Sequence, residues 1–214
     1  MFITGGKRKF LFTGRIIYDI ITKNRKLRRV IMNETIKNIL SRVSVRSYKP
    51  EQVKDEDLEL IIKCGLNACT AMNYQPWHMT VIQNKDAIEK IVDANRKAVM
   101  EGNVEEIKER FRNGYHNFYH APTVIIVSGK EGVYTDMDCG NMLQNMTVAA
   151  ESLGLSTCYI ASFKNALSSK YGQEILDVLQ LPEGYTPRAS IALGYMAGEK
   201  PEAKERKYEV TFIR

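Results

Sequence analysis

Residues 121–129 read APTVIIVSG. A β-branched apolar run of this length, announced by Pro122 and closed by Gly129, is a buried strand. It has no polar side to give to solvent, so the rest of the chain must cover it. MDCGNMLQNMTVAAESLGL (137–155) supplies one cover, with Met142, Met146, Ala149, Ala150 and Leu153 at helical spacing in a core helix that ends at Gly154. KDEDLELIIKCGLNA (54–68) sets Leu58, Ile61, Ile62 and Leu66 on one helical face. Its acids fall in the first turn, where the helix dipole favours them.

The remaining elements fit around these. HMTVIQ (78–83) reads as a strand, DAIEKIVDANRKAVM (86–100) as a surface helix, STCYIASF (156–163) as a strand running into a loop, and RASIALGY (188–195) as the last inner strand. A helix falls near 165–180, and NETIKNIL after Met32 opens another. The charged, aromatic-rich piece 102–120 is expected to be a mobile helical excursion over a site. The regular crossovers are too few for a doubly wound sheet, so the expectation is a layered α+β domain.

The charge is unevenly placed. Residues 1–31 carry nine Lys or Arg against Asp19 alone, a net +8, and since the whole chain is +6 the remainder sums to −2. The body is therefore not a basic protein, and nucleic acid is not an expected partner. Within this arm Phe10, Ile16, Ile17, Ile20 and Ile21 lie near helical spacing among cations. A peripheral contact with an anionic membrane, an arm packed on the body or on a partner subunit, and sequence upstream of an alternative start at Met32 all suit this pattern. Residues 1–31 are read as a basic amphipathic arm and 32–214 as one domain. No apolar stretch approaches the roughly 20 residues of a bilayer span, and no secretory signal stands at the start, so a cytoplasmic location is expected. Cys64, Cys69, Cys139 and Cys158 form no C-x-x-C pair, which argues for reduced, mostly buried thiols.

Few patterns carry chemistry by themselves. SRVSVRSY (41–48) has Arg42, Ser44 and Arg46 at alternate positions, which in an extended segment turns all three side chains to one side. Two guanidinium forks and a hydroxyl suit a phosphate or an anionic ring edge, though the same pattern also suits a solvated charge cluster. Lys204 and Arg206 repeat the alternation in AKERKYE. There is no G-x-G-x-x-G and no G-x-x-x-x-G-K-[ST], hence no Rossmann or P-loop signature. His116 and His120 sit four apart in HNFYH without an H-E-x-x-H glutamate or a third ligand, and no metal site is expected. His78 opens a strand, and neither a nucleophile elbow nor a marked catalytic cysteine is present.

Taken in order, SRVSVRSYKPEQV, NACTAMNYQPWHMTVIQ, DCGNMLQNMTVAAESLGLSTCYIASF, LPEGYTPRASIALGY and AKERKYE resemble the FMN-dependent nitroreductase family across residues 33 to about 210. The resemblance implies an α+β fold with a central mixed or antiparallel sheet flanked by helices, in an intertwined homodimer with the flavin at the interface. It implies an NAD(P)H-dependent oxidoreductase that passes hydride from NADH or NADPH through flavin N5 to a nitroaromatic, quinone or similar small acceptor in a ping-pong cycle. No side chain would act as catalytic acid or base. The implied FMN contacts are Arg42, Val43 and Ser44 toward phosphate and ribityl, and Arg46 toward the N1/C2 carbonyl edge. Asn73 and Gln75 would stand at the pyrimidine side, with Pro76 and Trp77 fixing their turn. The backbone N–H groups of Ala161 and Ser162 would face N5 and O4, and Lys204 and Arg206 the phosphate. Val43 replaces a second basic residue that many members carry, and Ala161-Ser162 stands where some have Glu-Gly. A same-fold flavoenzyme with other chemistry, such as reductive dehalogenation or flavin breakdown, and a non-catalytic flavin-holding binder are the alternatives.

Overall fold

The computed structural model describes residues 33–207 and 209–213. Glu34–Pro201 form one compact unit, outside which lie Asn33 and the segment from Glu202 onward. The described residues of that last segment, taken by themselves, form neither helix nor strand, and Lys204 and Arg206 are exposed on it. The basic arm and the boundary at Met32 lie outside the described residues.

Within the main unit the helices are α1 (Glu34–Ser41), α2 (Asp55–Leu66), α3 (Lys85–Glu101), α4 (Glu105–Arg112), α5 (Thr135–Ser152) and α6 (Gly172–Leu179). The strands are β1 (Trp77–Ile82), β2 (Thr123–Lys130), β3 (Ser156–Ile160) and β4 (Tyr185–Gly194). They form one sheet in the order β1-β2-β4-β3, every pairing antiparallel. No helix among the described residues is long and apolar enough to cross a membrane.

The sheet is central because its inner strands have no polar face. In β2, Val124 and Ile126 point to one side, against Ile88, Ile91 and Val92 of α3, Ile175 and Leu179 of α6, Phe118 and Phe163. Ile125 and Val127, one residue out of phase, point to the other, against Leu58 and Ile61 of α2 and Cys139, Met142, Leu143 and Met146 of α5. Each of these aliphatic side chains contributes about 1.5–3 kcal/mol on full burial, which a helix layer on one side alone would halve.

Several elements differ from the sequence reading for physical reasons. Strand β4 begins at Tyr185 rather than 188, because Pro187 is tolerated at a bulge where Ser128 pairs with Pro187 and Val127 with Ala189. The helix expected near 165–180 is two pieces, a 3₁₀ turn over Ser162–Ala166 and α6. Met142 and Met146 are fully buried within their own chain, as expected of a core helix. Its outward side chains include Met137, Asn141, Gln144 and Asn145. The segment 102–120 is only partly an excursion: α4 occupies its first half, and His116, Asn117 and Phe118 are buried in its second.

Gly129 marks the closest approach of β2 to α5. A Cβ there would fall inside the Thr135 Cγ2 methyl and lie 3.1 Å from Cys139 Sγ. Thr135 cannot swing aside, since it is β-branched and its hydroxyl donates to Lys130 O at 2.8 Å. Gly129→Ala is expected to destabilise the fold by about 1–3 kcal/mol, read as a lower denaturant midpoint at unchanged slope.

Candidate functional site

Strand β3 is an edge strand, and the chain after α1 is laid along it. Val45 N donates to Thr157 O at 3.0 Å, Ser44 bridges Thr157 in parallel, and the Tyr48 hydroxyl ties the segment with a 2.8 Å bond to Val45 O. Val43 and Val45 are buried. By alternation Arg42, Ser44 and Arg46 face outward. The expected alternation is therefore present, with Val43 contributing a side chain to the interior and only its backbone to the outer side. Arg96, Arg112 and Arg188 each meet carboxylates. Among the described residues Arg42 and Arg46 meet none; Arg46 reaches Ser44 O at 3.5 Å. Two guanidiniums without a carboxylate among the described residues, beside a hydroxyl, are a donor set for an anion.

Two groups the sequence reading missed support this clip. Cys158 is buried beneath it: burial pushes its thiol up, while Arg46, Ser44 and Arg42 act in the opposite sense. The Arg46 guanidinium lies 5.8 Å from the centroid of the Tyr119 ring, a cation–π arrangement. Partial burial opposes the charge on Arg46, but the Tyr119 hydroxyl together with Cys158 and Tyr48 outweighs it, and the pKa is raised.

At the C-terminal end of β3 the chain turns at Ala161 into the 3₁₀ segment. Ser162 is fixed from the 113–121 segment on the same side of the sheet: its hydroxyl accepts from Asn117 Nδ2 at 2.9 Å and lies 3.4 Å from the Tyr115 hydroxyl. Asn95, its amide oriented with the nitrogen toward the carbonyls, donates to Ser162 O at 3.0 Å and Phe163 O at 3.2 Å, and accepts from Asn117 Nδ2 at 3.0 Å. Tyr115 and Tyr119 meet edge to face at 5.8 Å. Arg46, Tyr119, Tyr115 and Ser162 are thus linked by contact. The spacing of Tyr115 and Tyr119, four apart in YHNFY, was the available signal for a shared aromatic wall.

The Asn73 turn stands at the start of β1. Because β1 and β3 run in opposite directions across the antiparallel sheet, β1 begins at the end where β3 stops. The turn is held in an uncommon backbone shape, with φ of 47° at Met72, 59° at Asn73 and 46° at Gln75. Left-handed non-glycine residues cost roughly 1–3 kcal/mol each and persist only when their surroundings fix them. Here Asp138 accepts from Ala71 N at 3.3 Å, Thr70 Oγ1 from Gln75 N at 3.3 Å, and Pro76 O from Lys130 N at 3.0 Å. Trp77 is buried behind it. Gln75 Nε2 donates to Asn73 Oδ1 at 3.1 Å, and both side chains are exposed.

The histidine pair gains a third group that the sequence did not offer, Glu89 of α3, 3.3 Å from His116 Nε2. The hydrogen bonds give this cluster a different role from metal binding. His116 Nδ1 accepts from the backbone N–H groups of Phe118 (3.1 Å) and His120 (3.2 Å), so its proton is on Nε2, the atom a cation would need bare.

A family model described as Nitroreductase family matches residues 39–195. The chain belongs to the Nitroreductase family. A crystal structure of a nitroreductase with bound FMN from Bacteroides fragilis is 30% identical, covering 85% of this chain and all of that one with a TM-score of 0.79. One from Desulfitobacterium hafniense, also with bound FMN, is 29% identical over 86% of this chain and all of that one, again at 0.79. An FMN reductase [NAD(P)H] of Bacillus subtilis is 27% identical over 78% of this chain and 67% of its own length. The expected family and the α+β fold with its flanked antiparallel sheet are met; the one parallel contact is the isolated Ser44–Thr157 bridge.

Asn117 is the structural key of the loop, fully buried between Asn95 and Ser162. Asn117→Ala is expected to lower stability by about 1–3 kcal/mol, by leaving buried partners unpaired. Thermal unfolding followed by circular dichroism measures it.

Proposed function

We propose that the protein holds FMN at the β3 edge and passes hydride from NADH or NADPH to a nitroaromatic, quinone or similar small acceptor in a ping-pong cycle. The observation that carries this reading is the pair of arginines without carboxylate partners, Arg42 and Arg46, flanking Ser44 on one outward side. Family membership makes the chain a flavin-dependent NAD(P)H oxidoreductase, and the FMN named for its Bacteroides fragilis and Desulfitobacterium hafniense relatives is the cofactor. Bound FMN supplies reversible two-electron chemistry, accepting hydride from a nicotinamide and returning it to the acceptor.

The chain's own task is then to bind, orient and tune. Arg42 and Ser44 hold the phosphate and ribityl groups by charge-assisted and neutral hydrogen bonds. Lys204 and Arg206, exposed on the last segment, are further cations of the kind a phosphate takes. Asn73 offers a donor and an acceptor from one amide to the pyrimidine side, and the left-handed backbone of its turn sets that amide outward, with Gln75 bracing it. Ala161 and Ser162 present backbone N–H groups, and the Asn117–Asn95 network keeps them from rotating. Arg46 opposes negative charge that develops on the ring edge. A homodimer with flavin at its interface completes the reading. No side chain need act as proton donor.

Two measurements test this. The purified protein is expected to carry FMN, and Arg42→Ala combined with Arg206→Ala to lose it while remaining folded; full occupancy in that double variant sinks the assignment. Arg46→Ala is expected to lower the midpoint potential of the bound flavin by several tens of mV, where about 30 mV in a two-electron couple equals about 1.4 kcal/mol. Arg46→Lys should recover part of the shift by keeping the charge but losing the fork. An unchanged potential in Arg46→Ala, by spectroelectrochemical titration, removes that residue from the ring edge.

A further inference from the structure

The turn that carries Tyr119 is braced from inside by one imidazole. Tyr119 and His120 have φ of 53° and 55°, two successive left-handed residues, neither a glycine. A tyrosine there is unfavourable by itself, and two in series multiply the cost. Two backbone bonds, Tyr119 N to His116 O and Ala121 N to Phe118 O, close the turn, and the side chain that braces it is His116, whose Nδ1 accepts the N–H groups of both Phe118 and His120. On its other side Nε2 meets Glu89 on α3. The ring is 6% exposed and stacks on His120 with centroids 4.0 Å apart. On the far side of the same turn, Tyr119 lies against Arg46.

We propose that His116 is a pH-sensitive positioning residue: its neutral imidazole latches the 116–120 turn, and through Tyr119 it sets the Arg46 guanidinium. The coupling to flavin rests on the functional reading above; the latch itself does not. The chemistry follows from proton count. An imidazole can accept at Nδ1 only while that nitrogen is bare, and Nε2 already carries the one proton of the neutral ring. A second proton must go to Nδ1, where it meets two N–H donors, and both bonds are lost together. The left-handed pair then keeps only the backbone bonds from Tyr119 N to His116 O and from Ala121 N to Phe118 O, both 3.0 Å, and loses the inner brace that sets Tyr119 against Arg46.

Among the described residues the titratable groups facing the ring are Glu89 from α3 and His120 from its own turn. Burial lowers the affinity of His116 for the second proton, and a charge on His120 lowers it further, while Glu89 pulls the other way without reversing the sign. A histidine depressed in the folded turn contributes stability that is fully present above its unfolded value of about 6.5. That contribution is lost as pH falls from there toward the folded value.

The test uses the whole chain in two arms. In the flavin-free protein, the backbone amide resonances of Phe118 and His120 are followed from about pH 8 to about pH 5, across the histidine range. They are expected to move together with one apparent midpoint below the ordinary histidine value; amides that do not titrate overturn the latch. In the second arm FMN affinity is measured over the same range for the native chain and for His116→Asn. The asparagine oxygen takes the place of Nδ1 as acceptor but binds no proton. FMN's own phosphate titrates near pH 6 in both proteins and cancels in the comparison. The native chain is expected to lose affinity relative to His116→Asn by up to about tenfold per pH unit, the limit for one proton. Parallel profiles overturn the coupling to Arg46. Absence of FMN binding by either protein near pH 8 overturns the flavin reading instead, and the amide titration then decides the latch by itself.

Discussion

The pairing of β2 with β4 is the constraint from which the rest of the structure follows. Both strands are buried on both faces and mostly apolar: Val124 and Ile126 oppose Ala192 and Ser190, and Ile125 and Val127 oppose Ile191 and Ala189. A two-stranded ribbon of this kind cannot stand in water, because roughly half its apolar area would remain exposed whichever way it turned. Helices must lie on both sides, α2 with α5 on one and α3 with α6 on the other. Once those layers are in place the interior is full, and the surfaces left for binding are the sheet edges and strand ends. The candidate groups are found there: the Arg42–Arg46 segment along β3, the Ala161–Ser162 loop where β3 stops, and the Asn73 turn where β1 starts.

An edge strand has free backbone groups that invite pairing. Here the 43–48 segment satisfies part of that demand through Ser44, Val45 and Thr157, and the same hydrogen bonds that protect the edge also fix the alternation of side chains. Structure and site therefore share one device. Val43 and Val45 anchor the segment inward, so Arg42, Ser44 and Arg46 have no choice but to face out. A polar residue at 43 or 45 would disturb the edge and the clip at once, which suits Val43 as an inward residue in a motif whose outer positions are polar.

What could be read from the sequence was periodic or local. The β-branched run of β2, the 3.6-residue patterns of α2 and α5 and the two-residue alternation around Ser44 each follow from one geometric rule acting on neighbouring residues, and each is found at its expected place within a few residues. Three kinds of feature escaped. Pro187 hid the first turn of residues in β4, because whether a bulge forgives a proline depends on the partner strand. What covers the methionines of the α5 core helix was also out of reach, since periodicity says which face is apolar but not what lies on it; Gly65 of α2, with Met142 and Met146 packed against its bare Cα, supplies the answer within the chain. Long-range polar contacts leave no pattern at all: Glu89 with His116, Asn117 with Ser162 and Asn95, and Tyr119 with Arg46 join positions from 22 to more than 70 residues apart. The Arg42, Ser44 and Arg46 clip was legible, whereas the wall that supports it was not.

That wall also explains why the 113–121 segment is built from both buried and exposed aromatics. Phe118 is fully buried beneath the sheet and His116 nearly so, while Tyr115 and Tyr119 stand between core and surface. Sequence neighbours in a helix or strand would send these side chains in fixed, regular directions. The left-handed pair at Tyr119 and His120 breaks that regularity, turning Tyr119 toward Arg46 while Phe118 stays anchored in the core. Strain of this size is retained only where something gains by it, and the gain available here is a rigid aromatic backing for an arginine that has no carboxylate of its own. An ion pair would have held Arg46 more simply, but it would also have neutralised the charge that an anionic ligand needs to meet. A ring face and a phenol hold the guanidinium in place and leave its charge available.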